Sequence, residues 1–291
     1  MYFFKVSVLS SEHHQSAILR DAHVACVFGN PIEQSKSPII HELFAKQFDI
    51  ALNYQKRLAD VDAFSLSADA FFANPLAIGA NVTMPFKDDA LKWVDTLSKQ
   101  ARRAGAVNTI IRSEAGFIGD NSDGIGLTND LRNHKVELLG ANLLVIGAGG
   151  AAKGALPALI DAGVAGISLY NRSQSKALEL IEHSNGYSFG LVKPYKAGKE
   201  VFDLVINATS LSLSDQLPEI PDTVFYGNPS VYDMVYKNQE TVFLQHARSL
   251  GCVNSIDGLG MLIEQAAHSF YLWFGLKPNT APVFKYLRGA M

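Results

Sequence analysis

Leu143-Leu144-Val145-Ile146-Gly147-Ala148-Gly149-Gly150-Ala151-Ala152 decides the fold of this chain. The apolar run predicts a buried strand, and the glycines after it predict a tight turn. Ala151, Ala155, Leu156, Leu159 and Ile160 recur at helical spacing, so a helix starts directly at that turn. A second strand-like run follows, Gly166-Ile167-Ser168-Leu169-Tyr170. Strand, glycine turn, helix and strand form the first half of a dinucleotide-binding unit. Glycines let backbone approach a pyrophosphate, and a helix N-terminus offers unpaired N–H groups to its charge. A tight turn holding a helix on a sheet is the competing reading; the flanking strand and helix favour the first.

The end of the second strand predicts which dinucleotide binds. NAD-preferring units place Asp or Glu about 20 residues beyond the glycines, on the ribose 2′-OH. Here the strand runs into Asn171-Arg172-Ser173-Gln174-Ser175-Lys176, with no carboxylate and two cations four apart at a helix start. A guanidinium with an ammonium nearby suits a 2′-phosphate. The expected cofactor is NADP(H), against the alternative of a solvated basic helix start.

Composition narrows the class. A chain of 291 residues predicts two domains, and 48% hydrophobic with 18% charged residues is ordinary for a globular α/β protein. The net charge of −3 gives no basic field for nucleic acid. Cys26 and Cys252 stand far apart in apolar surroundings, which suits buried thiols in a reducing compartment. No apolar run approaches the roughly 18 residues a membrane span needs. The apolar start MYFFKVSVL has no basic n-region, and residues 10–20 read as a polar leader. The expected setting is the cytoplasm, with no membrane, nucleic-acid or metal partner.

Strands and helices alternate from His23 onward, which predicts a first open α/β domain. Strand Val24–Phe28 leads to a helix opening at Ser37-Pro38, with Ser37 as N-cap and Pro38 at N1. Strand 53–58, helix 61–73, strand 77–82, helix 87–97 and strands 109–112 and 116–119 follow. A helix over 125–134 leads into the dinucleotide domain, which adds strands 204–207 and 231–234. The helical pattern Leu259–Phe274 has no strand after it and is expected to return to the first domain. The expected organisation is therefore residues 1–123 completed by 259–291, a Rossmann-type doubly wound domain over 124–258, and a cleft between them.

Three polar clusters in the first domain fall at strand ends, where open α/β sheets bind ligands. They are Gly29–Pro38, Gly79–Lys87, and Gly105–Thr109 with Gly119–Gly124. Hydroxyls, an amide, one lysine and one aspartate suit a small polyhydroxylated molecule. Ser37 reads equally as cap or ligand; Ser35 has less structural excuse. Lys87 opens a helix, where a cation opposes the helix dipole, and that local penalty points to function, against the alternative of a surface lysine. Asp123 reads equally as a cap of the next helix.

GNPI…SKSP, GANVTMPFK, GAVNT, GDNSDG, GAGGA, NRS, NATS, YDMVY and DGLGMLIEQAA run in this order from about residue 24 to 285. In order and spacing the chain resembles the shikimate dehydrogenase family. That resemblance implies reversible NADPH-dependent reduction of 3-dehydroshikimate to shikimate, in the route to aromatic amino acids. It implies Lys87 as catalytic lysine with Asp123 its partner, and Ser35, Ser37, Thr83, Asn108, Asp123, Tyr236 and Gln265 around shikimate. It implies Gly147, Ala148, Gly149, Gly150, Ala151, Asn171, Arg172, Ser173, Lys176, Met234 and Gly258 around the cofactor, in a monomer or homodimer. Gln34, Ser212 and Asn238 depart from the family's common His, Gly and Pro, and the leader has no counterpart. The alternatives are a quinate/shikimate dehydrogenase using either nicotinamide, and a non-catalytic dinucleotide sensor.

Overall fold

The computed structural model describes residues 22–198 and 200–291. The expected leader over 10–20 and the apolar first nine residues lie outside the described residues. The chain begins with β1 (His23–Gly29), α1 (Ser37–Lys46), β2 (Leu52–Leu58), α2 (Phe64–Phe72), β3 (Ala77–Val82) and α3 (Lys87–Trp93). With β4 (Thr96–Leu97), α4 (Lys99–Ala104), β5 (Thr109–Ser113) and β6 (Gly116–Asp120) it completes a six-stranded sheet, ordered β2-β1-β3-β5-β6-β4. Every residue of β1 after His23 is buried, which is why HVACVFG shows no alternation. β5 runs antiparallel to β3 and β6. Its first residue therefore lies at the sheet edge where β1, β3 and β6 end: Thr109 faces Asn81 on one side and Asp120 on the other.

α5 (Asp123–Asn133) leads to β7 (Asn142–Ile146), α6 (Gly150–Asp161), β8 (Gly166–Tyr170), α7 (Gln174–Ser188), β9 (Val192–Pro194) and β10 (Leu204–Asn207). β11 (Ser230–Asp233), α8 (Val242–Ser249) and β12 (Ser255–Asp257) finish a second six-stranded sheet, ordered β12-β11-β10-β7-β8-β9. All its pairings are parallel. Leu143 and Val145 of β7 enter the core with Leu159, Ile167 and Ile206, while Leu144 and Ile146 enter the opposite one with Val205, Val231 and Phe243. This is the expected α/β class, with a doubly wound parallel sheet whose strand order reverses beside β7.

α9 (Leu259–Phe274) and α10 (Thr280–Gly289) close the chain. α9 sets Leu259, Ile263 and Phe270 against Ile40 and Phe44 of α1 and Val283 and Leu287 of α10. Burial of each such side chain contributes about 1.5–3 kcal/mol, which anchors α9 on α1. Its far end is fixed to β5 by Trp273 Nε1–H, donating to Ile110 O at 3.0 Å.

α5 lies between α6 and α9 and meets each through a glycine. A Cβ on Gly124 would stand 2.7 Å from Ala158 Cβ and from Gly154 O; one on Gly126 would stand 2.8 Å from Met261 O. No side chain fits at those separations, so Asp123-Gly124-Ile125-Gly126 lets both neighbours close on α5.

Two expectations fail. The helix expected over 87–97 stops at Trp93. The Asp95 carboxylate accepts Phe117 N–H at 2.7 Å, and Asp95 N–H donates to Phe117 O at 3.0 Å. Those bonds draw Thr96–Leu97 onto β6 as an edge strand. Ser37 is not an N-cap: it is already helical, Lys36 holds the cap position, and no side chain caps the helix. Among the described residues, no helix is long and apolar enough to cross a membrane.

Candidate active site

Backbone hydrogen bonds stitch together the segments carrying Lys87, Asn108 and Asp123. Val107 N–H donates to Lys87 O at 3.0 Å, Val82 N–H to Asn108 O at 2.8 Å and Asn108 N–H to Asp120 O at 3.1 Å. The side chains then converge. Lys87 Nζ donates to Asp123 Oδ2, and Asn108 Nδ2 donates to Asp123 Oδ1 at 2.8 Å. The Lys87 and Asp123 side chains are 15% and 8% exposed, so the pair is shielded yet reachable. Both carboxylate oxygens are engaged by side chains and neither caps α5. An ammonium held by a shielded carboxylate can pass a proton to an oxygen that gains negative charge.

The other candidate substrate residues are each held by contacts of their own. A Cβ on Gly29 would lie 2.6 Å from Thr83 Cγ2, so Thr83 is pressed over the end of β1. Gln265 Oε1 accepts from Ser122 Oγ at 3.1 Å. Tyr236 packs against the α1–α9 cluster, and burial pushes its phenol pKa up. Ser35 and Ser37 reverse their expected structural roles. Ser35 Oγ accepts Ser37 N–H at 3.3 Å and lies 3.2 Å from Ser37 Oγ, whereas Ser37 caps nothing. Ser37→Ala should therefore raise KM for the substrate about fivefold with little loss of thermal stability, and Ser35→Ala should raise KM and lower Tm together. Steady-state kinetics and thermal melts check both; unchanged KM in both variants would remove the serines from the site.

The glycine turn opens onto a cleft of about 660 Å³ lined by Gly149, Gly150, Asn171, Arg172, Ser173 and Lys176, among others. Gly147 holds φ +113° against Ala208, a left-handed conformation that favours glycine. A Cβ on Gly149 would meet nothing within 4 Å; it would occupy the cleft itself. α6 has no side-chain cap and no acidic residue in its first turn, so its N–H groups remain for an anion. Ala148 N–H donates to Asn171 Oδ1 at 3.2 Å, locking the turn to the end of β8. Arg172 and Lys176 are exposed at the cleft, and neither has a carboxylate partner among the described residues. Ser173 is paired with Ser175, Oγ to Oγ at 3.0 Å. These residues fit a dinucleotide carrying a 2′-phosphate. Ala151 follows in the first turn of α6. Met234 and Gly258 are not among the lining residues; they touch each other, since a Cβ on Gly258 would lie 2.1 Å from Met234 O.

The departures are accommodated locally. Gln34 is exposed and donates to Pro31 O at 3.2 Å. Ser212, fully buried, donates to Asp233 Oδ2 at 2.6 Å. Asp233 also accepts from Thr241 Oγ1 at 2.6 Å, and from Val235 N–H and Asn207 Nδ2 at 3.1 Å each. Burial raises the Asp233 pKa, with these donors pulling against it. Asn238 is exposed, beside the Lys237–Asp215 ion pair.

Several contacts near the cleft escape a reading of motifs. Lys153 of α6 pairs with Asp88 of α3 at 3.0 Å, and Arg103 of α4 with Asp161 of α6 at 2.6 Å. Arg103 O accepts from Tyr187 Oη and lies 2.9 Å from His183 Nε2, both on α7. Lone charged residues on separate helices give no sequence signal of such pairing.

Fold and site together define an NADP-dependent oxidoreductase, with a lysine–aspartate pair beside its dinucleotide turn. Residues 27–110 match the shikimate dehydrogenase substrate binding domain, 130–214 the shikimate / quinate 5-dehydrogenase family, and 258–283 the shikimate 5′-dehydrogenase C-terminal domain. The chain is 46% identical over 263 residues to a shikimate dehydrogenase (NADP(+)) of Vibrio cholerae serotype O1, covering 90% of this chain and 94% of that protein. One from Chromohalobacter salexigens is 47% identical over 264 residues, covering 90% and 97%. The solved shikimate 5-dehydrogenase of Thermus thermophilus, in complex with NADP(H) and shikimate, superposes with a TM-score of 0.81 at 31% identity, covering 92% and 100%. The chain belongs to the shikimate dehydrogenase family.

Proposed function

We propose that this chain reduces 3-dehydroshikimate to shikimate through Lys87 and Asp123, reversibly and with NADPH. The observation that carries the proposal is contact between the pair and the dinucleotide segment. A Cβ on Gly150 would lie 3.2 Å from Lys87 Cδ, and one on Gly154 would lie 2.6 Å from Asp123 Oδ2. NADPH held at the glycine turn, Arg172 and Lys176 would supply the hydride that the substrate's carbonyl carbon needs. Lys87 gives a proton to the carbonyl oxygen as it becomes a hydroxyl, and Asp123 holds the ammonium in line. Ser35, Ser37, Thr83, Asn108, Tyr236 and Gln265 orient the ring, on the lobe built from residues 22–123 and 259–291. Arg172 and Lys176 take the 2′-phosphate. The buried thiols of Cys26 and Cys252 suit a reducing cytoplasm.

Following absorbance as NADP⁺ is reduced tests the reading. Shikimate with NADP⁺ should give steady turnover, with quinate and NAD⁺ as slower comparators. Absence of turnover with shikimate would refute the assignment.

A further inference from the structure

Behind Asp123 a run of side chains from separate elements stands in hydrogen-bonding sequence. Tyr54 Oη lies 2.8 Å from Asn81 Oδ1, and Asn81 Nδ2 lies 2.9 Å from Ser269 Oγ. Ser269 Oγ lies 2.9 Å from Thr109 Oγ1, which lies 2.9 Å from Asn108 Oδ1. Asn108 Nδ2 then reaches Asp123 Oδ1 at 2.8 Å. Thr109 and Ser269 are wholly buried; Asn81 and Asn108 are nearly so.

The direction of the run is dictated by backbone groups that have only one role. Ser122 N–H points at Asn108 Oδ1 at 2.8 Å, so that atom is the amide oxygen. Asn108 O lies 3.3 Å from Asn81 Nδ2, so that atom is the amide nitrogen. An amide oxygen only accepts, and an amide nitrogen only donates. Tyr54 must therefore donate to Asn81, and Thr109 must spend its single proton on Asn108. With the Thr109 proton on Asn108, the 2.9 Å bond between Ser269 Oγ and Thr109 Oγ1 takes its proton from Ser269, which also lies 3.1 Å from its own helix's Gln265 O. In this arrangement the bonds of the run align head to tail toward the Asp123 carboxylate, and bonds so aligned polarise one another. At the far end His41 stacks on the Tyr54 ring at 4.4 Å. Burial lowers the His41 pKa to about 3, so the imidazole adds no charge.

We propose that Thr109 and Ser269 are positioning residues for the catalytic pair. Through this run, and together with Ser122 N–H and Ser122 Oγ at 2.8 and 3.1 Å from the same oxygen, they hold the Asn108 amide as a donor to Asp123, and so fix which carboxylate oxygen faces Lys87. The proposal rests on the reading that Lys87 and Asp123 handle the proton. Neither Thr109 nor Ser269 touches substrate or cofactor in that reading.

Thr109→Val keeps the side chain's shape and removes its hydroxyl, Ser269→Ala cuts the run one step earlier, and Thr109→Ser restores the hydroxyl. With shikimate and NADP⁺, kcat should fall about three- to tenfold in Thr109→Val and Ser269→Ala, the net worth of one hydrogen bond. KM for NADP⁺ should not move, and Thr109→Ser should recover most of kcat. Because the links lie in series, the double variant should be no slower than the slower single one. Equal losses in Thr109→Ser and Thr109→Val, multiplied losses in the double variant, or unchanged kcat in a folded Thr109→Val would each overturn the proposal. Should Thr109→Val not fold, Ser269→Ala carries the test, since alanine suits a helix interior. Failure of the underlying reading looks different: Lys87→Ala would then keep its kcat, whatever the Thr109 variants do.

Discussion

Lys87→Ala is expected to lower kcat by about 10²–10⁴-fold, the usual share of a positioned acid–base group. The ammonium sits on Asp123 at the sheet edge, beside Gly150 of the dinucleotide turn. No other lysine or arginine forms an ion pair with Asp123 among the described residues, so nothing local replaces the donor. KM for NADP⁺ should hardly change, because Arg172 and Lys176 are on the second sheet's side of the cleft. The substitution also leaves the Asp123 carboxylate without its cation, so a thermal melt should accompany the kinetics. Lys87→Met, which retains much of the side chain's bulk, separates lost chemistry from lost packing. Near wild-type kcat in either variant would take Lys87 out of the reaction.

Arg172→Ala is expected to weaken NADPH binding roughly 10- to 150-fold while sparing NADH, the effect of losing a hydrogen bond to a charged group. The exposed guanidinium stands at the cleft mouth where an NAD-preferring unit would carry an acid. Lys176→Ala should act in the same direction but more weakly, since an ammonium makes a point contact rather than a planar one. The difference should shrink in high salt, which screens charges at an open site. Titrating both cofactors against wild type and each variant checks this. Equal losses for NADPH and NADH would mean that Arg172 does not read the 2′-phosphate.

The dinucleotide unit was legible because its strand is buried on both faces, so Leu143–Ile146 reads as an unbroken apolar run ahead of its glycines. Asp123 was ambiguous between cap and function, because a carboxylate at a helix start serves either use. Only the fold shows that Asn108 and Lys87 claim both its oxygens. Thr109, Ser122 and Ser269 were not legible as a set. Hydroxyls are small and common, and Ser269 lies 160 residues from the threonine it meets. Its place four residues after Gln265, on one helix face, was the single available signal. The edge strand at Thr96–Leu97 depends on Asp95 finding Phe117, a pairing that helical periodicity cannot register.

The glycines of α5 also bear on how an enzyme of this build acquires new substrates. With Gly124 against Gly154 and Gly126 against Met261, even alanine at these positions would have to push main chain apart. A side chain at either glycine would thus shift α6 or α9 against α5. Under the proposed reading, a new substrate would be accommodated by changes at side chains such as Ser35, Thr83 and Tyr236, with these glycines left in place.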